Sequence, residues 1–378
     1  MRILHVVTLF SPDGAYGGPV RVATNLSSEL ANRNHDVTVV GGKRSFEGSG
    51  SSEPKSIENL DYRLFPSRIA VPGVGFAGIG APLMLPWLRR NSRNFDVAHI
   101  HLARDLTVLP AAVLLQKLNI PMVIQAHGMI VPSPKISARV VDALATKRVL
   151  RGARQLLCLT KEEEDASRAV GGQALRTERL LNGVPIPVLP SLSAPPRTVE
   201  VAFLARLHKR KRPEFFARSA VELQNEFPDA VFSIAGPDEG AAQSVHRILN
   251  AAGSPPSVRV YGAIPPGDVS AHLSRCSVYV LPTVGEALSM SALEAMALGK
   301  PAIVTTTCGL APDIEKYAAG IVVGPEQSAL TEAIRTLLSS ESMRVRMGAN
   351  ARRLVEEKYS VGAVTTRLEG IYERALGG

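Results

Sequence analysis

Short, continuous apolar runs alternate with helical periodicity along most of this 378-residue chain. In the first half the runs extend from ILHVVTL (3–9) to ARQLLCLT (153–160), and amphipathic stretches such as 20–33 separate them. Strands that are apolar on both faces are typical of a parallel sheet covered by helices on both sides. The pattern therefore predicts an α/β fold of the doubly wound type.

The alternation is interrupted at residues 183–198 and then restarts. This stretch, GVPIPVLPSLSAPPRT, contains five prolines and little strand or helix periodicity, which indicates a linker. Six more strand-like runs follow between residues 199 and 324. We therefore expect two doubly wound, Rossmann-like domains facing across a cleft, at 1–195 and 196–360. Ligands of such sheets bind beyond the carboxyl ends of the strands.

Charge and cysteine usage limit the class of partner and the compartment. Lysine and arginine outnumber aspartate and glutamate by 43 to 34, and this basic balance favours nucleic acid, an anionic membrane surface or a phosphate-bearing substrate. The three cysteines lie far apart, so neither a disulfide framework nor a zinc site is expected. The N-terminal run lacks a signal-peptide cleavage site and is expected to form a buried strand.

Residues 69–88 form an uncharged stretch of twenty positions, long enough to cross a bilayer. Three prolines within it would break a continuous helix, so we expect a loop and a short helix instead. Arginines at 89, 90 and 93 follow. Apolar residues beside arginine suit a membrane surface or a lipid-like substrate. An ordinary loop over the core is an equal alternative.

Two glutamates mark the segment 284–306. Glu286 follows a predicted strand in a loop, a helix is expected from about Ser289, and Glu294 lies within that helix. A helix N-terminus is an anion site, and carboxylates beside it could hold hydroxyls of a sugar–diphosphate–nucleoside. Alternatively, Glu286 caps the helix and Glu294 pairs with a surface lysine.

A basic run, HKRKR, follows the first strand of the second domain. Lys211 lies within this run, and Arg206 lies just before it. Both have the charge needed to neutralise a diphosphate and stabilise it as a leaving group. A solvated basic loop is the alternative. No aromatic residues are interleaved with the basic ones, so a nucleic-acid partner is not expected.

Glycines and histidines supply the candidates in the first domain. Gly14, Gly17 and Gly18 precede a helix and would let backbone N–H groups approach a phosphate, although tight turns also use such glycines. His127, followed by glycine, is the best candidate to face the cleft. His99 and His101 share a strand face and hint at a metal, but no third ligand follows at a useful spacing. Core roles are favoured for both, and no metal site is expected. The acidic run 162–165, opening a helix behind Thr160, is interpreted as structural.

In their order and spacing these motifs resemble the GT-B glycosyltransferases, and among them the retaining family 4, or group 1. The resemblance covers nearly the whole chain. It rests on Gly17–Gly18, His127–Gly128, Asn182–Gly183–Val184, the R-x4-K of Arg206 and Lys211, the E-x7-E of Glu286 and Glu294 with the helix Leu293–Ala297, and the tail 348–360.

The resemblance implies a role for each of these residues. Arg206 and Lys211 would bind the donor diphosphate, and Glu294 the ribose hydroxyls. Glu286 would position the transferred sugar rather than act as a covalent nucleophile. His127 would lie beside sugar and acceptor. Backbone N–H groups of Leu288, Ser289 and Met290 would reach sugar and phosphates, Gly17 and Gly18 would let the first domain close over the phosphates, and the last helix (361–378) would pack back on the first domain.

Two departures from the family pattern fall at the expected donor site. Ala205 stands before Arg206, where the family usually has glycine. Ala287, Leu288 and Ser289 follow Glu286, where a small residue or proline, then phenylalanine and glycine, are usual. The second departure lies in the pocket for the transferred sugar, so the resemblance does not identify that sugar.

The sequence thus predicts a metal-independent enzyme, without a cofactor, that transfers a hexose with retention from a nucleotide diphosphate sugar. The expected acceptor is a glycan hydroxyl, with a lipid-linked glycan favoured, in the synthesis of cell-surface polysaccharide or glycolipid. Alternatives are a nucleotide-sugar epimerase, a phosphorylase or a non-catalytic sugar-binding module. A cytoplasmic location is expected, with peripheral attachment to the inner face of the membrane left open.

Overall fold

The computed structural model describes residues 1–11, 17–44, 53–188 and 198–377. The chain divides into two compact units, Met1–Gly183 with Val361–Gly378, and Val184–Ser360. The division falls at Gly183 rather than at the expected residue 195. Val184 is fully buried, and its N–H donates to the carbonyl of Tyr359 at 2.8 Å, which ties the start of the expected linker to the second unit. The rest of that linker, 189–197, and Gly14 lie outside the described residues.

The first unit is built on a parallel sheet of seven strands. Its strands, together with a two-stranded antiparallel pair (β4 and β5), are β1 Arg2–Phe10, β2 Asp36–Lys43, β3 Leu60–Pro66, β4 Arg68–Ile69, β5 Ile79–Gly80, β6 Val97–His101, β7 Met122–Gln125, β8 Gln155–Cys158 and β9 Thr177–Arg179. The order across the large sheet is β3-β2-β1-β6-β7-β8-β9. The helices before the second unit are α1 Gly17–Asn32, α2 Met84–Asn91, α3 Val108–Lys117, α4 Ile136–Val141, α5 Lys147–Arg151 and α6 Lys161–Gly171, with a π-helical turn Asp142–Thr146 between α4 and α5.

The second unit repeats the architecture on a parallel sheet of six strands. These are β10 Glu200–Leu204, β11 Val231–Ala235, β12 Val258–Val260, β13 Val278–Leu281, β14 Ala302–Thr305 and β15 Gly320–Val323, in the order β12-β11-β10-β13-β14-β15. Its helices are α7 Pro213–Leu223, α8 Ala242–Ala251, α9 Val269–Arg275, α10 Met290–Ala297, α11 Ala311–Tyr317, α12 Gln327–Ser339 and α13 Glu341–Leu354.

The last helix, α14 (Val361–Gly377), returns the chain to the first unit. Val364, Leu368 and Tyr372 are buried on the side of α14 that packs with the core of α1 and the central strands. Arg33 at the end of α1 donates to Glu369 at 2.8 Å from the other side. The C-terminal helix is therefore an integral part of the first unit's core.

The prediction of an α/β fold with two parallel sheets is confirmed, and the apolar runs coincide with the central strands. The edge strands β3 and β9 were not predicted. β3 is only partly buried along most of its length, and the three residues of β9 are polar, so neither has the continuous apolar run of a central strand.

Residues 69–88 form a loop with the short β5 and the first part of α2, as expected. In the part of the chain that the structure describes, no helix is both long enough and apolar enough to cross a membrane. Ile69, Val71, Val74 and Leu83 are exposed in this segment, while Met84 and Leu88 are buried in the core.

Truncation of the buried face of α14 should destabilise the first unit. We expect Leu368→Ala to lower its free energy of unfolding by about 2 to 5 kcal/mol, the usual cost of a cavity of this kind. The only tryptophan, Trp87, lies in α2 of this unit, so its fluorescence during urea unfolding reports on the first unit directly. The exposed Glu373→Ala is the matched control and should change the midpoint little. An unchanged midpoint in Leu368→Ala would contradict this packing.

Candidate active site

The loop after β10 is joined to the loop after β13 by backbone and side-chain hydrogen bonds. The Val284 N–H donates to the Arg210 carbonyl at 2.8 Å, and the Thr283 hydroxyl donates to the same carbonyl at 3.1 Å. The Arg210 guanidinium donates in return to the carbonyl of Gly285. Because β10 and β13 are adjacent parallel strands, both loops leave the same edge of the sheet.

Lys211 and Glu286 form an ion pair at this junction. Their side chains are only 15% and 18% exposed, so the charges are largely withdrawn from solvent. The Glu286 carbonyl accepts from Gly309 N–H at 2.7 Å, which fixes the backbone of Glu286 against the loop after β14. Two residues that the sequence placed 75 positions apart are thus held together.

Arg206 lies apart from this pair. Its guanidinium donates to both carboxylate oxygens of Glu239, at 2.8 and 2.9 Å, and its side chain is 61% exposed. A surface ion pair of this kind is weak, so an anionic ligand could take the place of Glu239. The contact of Arg206 with Glu239 was not predicted from the sequence.

Gly236 lies against Ala205, the residue that precedes Arg206. A Cβ at position 236 would lie 1.9 Å from the Ala205 carbonyl oxygen, and the residue has φ +144°. Only glycine allows the ends of β10 and β11 to approach this closely.

The helix α10 begins at Met290, close to the predicted start. Its N-cap is Ser289, whose hydroxyl accepts from the Ala292 N–H at 3.3 Å. The alternative that Glu286 caps this helix is therefore wrong. Leu288 and Met290 are half-buried on either side of the cap, and Glu294 lies one turn into the helix, also half-buried.

Tyr279 connects the two halves of this site, and the sequence analysis missed it. The residue is fully buried in β13; its hydroxyl lies 2.7 Å from the Ser291 hydroxyl and donates to the Leu204 carbonyl at 3.0 Å. It thereby joins the end of β10 to the first turn of α10. A tyrosine within an otherwise aliphatic buried strand is the signal that could have identified it, because a buried hydroxyl needs a partner.

In the first unit, His127 lies in a strained turn after β7. His127 and Gly128 have φ of +50° and +72°, and the Met129 N–H closes the turn on the Ala126 carbonyl at 2.8 Å. A left-handed conformation costs a non-glycine residue about 1 to 2 kcal/mol, so the surrounding contacts must hold the turn. Such strain concentrates at functional sites.

Glu163 supplies one of those contacts. Its carboxylate accepts from Gly128 N–H at 2.6 Å and from Leu159 N–H at 2.7 Å, and burial raises its pKa. Thr160 caps α6, as expected from the acidic run. That run is structural, but Glu163 also fixes the His127 turn, which the sequence analysis did not foresee.

His127 also contacts a buried histidine cluster. Its Nε2 lies 2.8 Å from Nδ1 of His101, whose Nε2 lies 3.2 Å from Nδ1 of His5. Burial lowers the pKa of His127 and of His5 to about 3. These imidazoles are therefore neutral at ordinary pH.

A third histidine that could act as a metal ligand beside His99 and His101 comes from β1. His5 is the register partner of His99, and ring nitrogens of His5, His99 and His101 lie within 4.8 Å of one another, a group that could in principle hold a metal. The search for ligands at short sequence spacing could not find His5. The available signal was the usual strand order of doubly wound sheets, in which the first strand lies beside the strand that follows the crossover, here β1 beside β6.

Gly17 and Gly18 are the first two residues of the first helix rather than part of the loop before it. The helix α1 begins at Gly17, and a Cβ at Gly18 would meet no heavy atom within 4 Å. No described neighbour therefore requires glycine at position 18.

Each unit therefore presents its own set of groups. The second unit brings together a half-buried Lys–Glu pair, a basic loop and a capped helix N-terminus, which suit an anionic ligand that carries hydroxyls. The first unit presents a neutral imidazole on a fixed turn, which suits hydrogen bonding or proton transfer.

Comparison with known proteins matches both units. A family model described as "Glycosyl transferases group 1" matches residues 190–354, and one described as "Glycosyl transferase 4-like domain" matches residues 17–183. The alpha-D-kanosaminyltransferase of Streptomyces kanamyceticus is 26% identical over 328 residues, which cover 80% of this chain and 84% of that protein. The glycogen synthase of Mycobacterium tuberculosis is 26% identical over 407 aligned positions, covering 100% and 96%.

A solved structure shares the fold along the whole chain. Anabaena Alr3699/HepE in complex with UDP superposes with a TM-score of 0.70 at 16% identity, covering 99% of this chain and 100% of that one. At this identity the likeness concerns the fold.

Proposed function

We propose that this chain, which belongs to the group 1 glycosyltransferases and has the GT-B fold, transfers a hexose from a nucleotide diphosphate sugar to a hydroxyl of a glycan. The observation that carries the proposal is the half-buried Lys211–Glu286 pair beside the N-terminus of α10. This pair places a cation that can bind phosphate next to a carboxylate that can accept hydrogen bonds from sugar hydroxyls. HepE has been solved in complex with UDP and in complex with UDP-glucose, and the latter is a nucleotide diphosphate sugar.

In the proposed mechanism Lys211 and Arg206 bind the diphosphate. The bond from the sugar to the diphosphate breaks with charge developing on the leaving oxygen, and fixed cations stabilise that charge most in a partly desolvated site. Lys211 is already fixed by Glu286, whereas Arg206 must exchange Glu239 for phosphate. Backbone N–H groups of Leu288, Ser289 and Met290 add the positive end of α10.

The two glutamates take different parts of the donor. Glu294 accepts hydrogen bonds from the ribose hydroxyls, and Glu286 accepts from hydroxyls of the sugar. His127, in the first unit, contacts the sugar or the acceptor, and the N-terminus of α1 at Gly17 and Gly18 binds phosphate. The transfer retains configuration and uses neither metal nor cofactor, with the leaving phosphate helping to take the acceptor's proton.

A lipid-linked acceptor at an anionic membrane surface is the second part of the proposal. Exposed Ile69, Val71, Val74 and Leu83 lie in the segment that ends in the exposed Arg89 and Arg90 of α2. Apolar groups enter the headgroup region of a bilayer, while arginines bind anionic lipid. The alternative, an ordinary loop over the core, remains open, and vesicle binding distinguishes the two.

Glu294→Ala should weaken binding of the free nucleotide as well as of the sugar donor. Thermal unfolding with UDP, GDP, ADP and their sugars, without metal, measures this, because a ligand bound only to the folded state raises the melting temperature. We expect one nucleotide to stabilise the wild type and to lose that effect in Glu294→Ala. The exposed Glu315→Ala is the control. An equal shift in Glu294→Ala would refute the ribose assignment.

Removal of both cations should abolish most of the transfer. Such electrostatic contacts are each worth about 3 kcal/mol in the transition state, so Arg206→Ala with Lys211→Ala should reduce kcat/KM by several orders of magnitude. Lys209→Ala, an exposed cation of the same loop, should leave it nearly unchanged. Near-wild-type turnover in the double variant would exclude the diphosphate site.

Membrane binding is tested with vesicles of phosphatidylglycerol and phosphatidylcholine at low salt. We expect the protein to cosediment with them, and Arg89→Glu with Arg90→Glu to release it, because like charge repels the anionic surface. Lys316→Glu, an exposed charge reversal in the second unit, is the control. A wild-type protein that stays in the supernatant would contradict the membrane proposal and leave the donor site untouched.

A further inference from the structure

A continuous chain of hydrogen bonds leads from His127 into the core of the first unit. His127 Nε2 meets His101 Nδ1 at 2.8 Å, and His101 Nε2 meets His5 Nδ1 at 3.2 Å. The planes of the His101 and His127 rings differ by 10°, as suits a bond in the plane of both rings. Both nitrogens of His101 are thereby used.

The chain continues through Tyr372 of the C-terminal helix. The Tyr372 hydroxyl lies 3.3 Å from His5 Nε2 and 2.7 Å from His99 Nδ1. A hydroxyl has one proton, and a neutral imidazole has one donor and one acceptor nitrogen. The hydrogen bonds of the whole chain therefore all run in one direction. Each group donates either inward, away from His127 and towards His99, or outward, towards His127.

The inner end of the chain selects the direction. His99 Nε2 and Gln125 Oε1 are buried, and neither has a partner within hydrogen-bonding distance among the described residues. Gln125 Nε2 donates to Asn182 Oδ1 at 3.2 Å, which leaves Oε1 as an acceptor. Gln125 is the register partner of His101 on the adjacent strand β7, so its side chain stands on the same face of the sheet as those of His99 and His101. Inward-pointing protons give His99 Nε2 a proton on the face that carries this acceptor, whereas the outward direction buries two acceptors on the same face.

We propose that His101, His5 and Tyr372 are positioning residues that hold His127 as the neutral tautomer protonated on Nε2, so that Nδ1 keeps a lone pair for a substrate hydroxyl. His127 Nε2 donates to His101, His101 to His5, His5 to Tyr372, and Tyr372 to His99. The identity of the hydroxyl rests on the proposed function; the tautomer does not. No partner for His127 Nδ1 occurs in the described ranges.

The same geometry argues against a metal at the cluster. A metal on His5, His99 and His101 would need a free nitrogen from each ring. The hydrogen bonds already occupy both nitrogens of His5 and of His101, and Nδ1 of His99. A metal would have to break this chain, whereas neutral hydrogen-bonded rings satisfy it.

Nitrogen NMR of the histidine side chains tests the proposal directly. In two-bond proton–nitrogen correlations, His127, assigned by its loss in His127→Gln, should show a protonated Nε2 and an unprotonated Nδ1. Tyr372→Phe keeps the ring but removes the hydroxyl, so His5 loses its acceptor. The inward direction would then bury an unpaired N–H, and the His127 population should shift towards protonated Nδ1. Tyr359→Phe, which removes a buried hydroxyl of the second unit, should leave His127 unchanged.

Three outcomes would overturn the proposal: a wild-type His127 protonated on Nδ1, an unchanged His127 signal in Tyr372→Phe, or displacement of the His5, His99 and His101 signals by stoichiometric Zn²⁺. The spectra are recorded without substrate. An inactive protein with the expected tautomer would contradict the proposed function alone, and an active one with the opposite tautomer would contradict this inference alone.

Discussion

The backbone junction between the loops after β10 and β13 is the constraint on which the second unit's candidate site depends. The Arg210 carbonyl accepts from both Val284 and Thr283, so the basic loop cannot move without the loop that carries Glu286. The Lys211–Glu286 pair alone would not give this precision, because an ion pair tolerates many geometries. A charged pair that is held by backbone bonds is preorganised, which is what electrostatic stabilisation of a leaving group requires.

The first unit achieves precision differently, through strain held by buried partners. His127 occupies a left-handed conformation that an isolated chain would avoid, and Glu163 and His101 fix the turn from two sides. The C-terminal helix takes part, because Tyr372 belongs to the same hydrogen-bonded chain. Because α14 packs in the first unit, it links the last residues of the sequence to His127, just after the end of β7.

The sequence allowed the central strands and the N-terminus of α10 to be predicted, because each has a local signal. Apolar runs identify buried strands, and a motif such as E-x7-E is contiguous. His5, Tyr279 and Glu239 were beyond that reasoning, since each acts through a partner from a distant strand or loop. The polar edge strands β3 and β9 were missed because an edge strand need not be apolar.

Ser289 shows why the departures from the family pattern alter the site without dismantling it. Its buried hydroxyl is occupied in capping α10 and lies 3.3 Å from the Ser291 hydroxyl, so it has little capacity left for a sugar. Any contact of Ser289 with the donor must then come from its backbone N–H, as at Leu288 and Met290. The side chains left to distinguish one sugar from another at this turn are Leu288 and Met290, both apolar and half-buried. Apolar walls discriminate by shape, so a sugar bound at this turn, as proposed, would be selected by fit rather than by added hydrogen bonds.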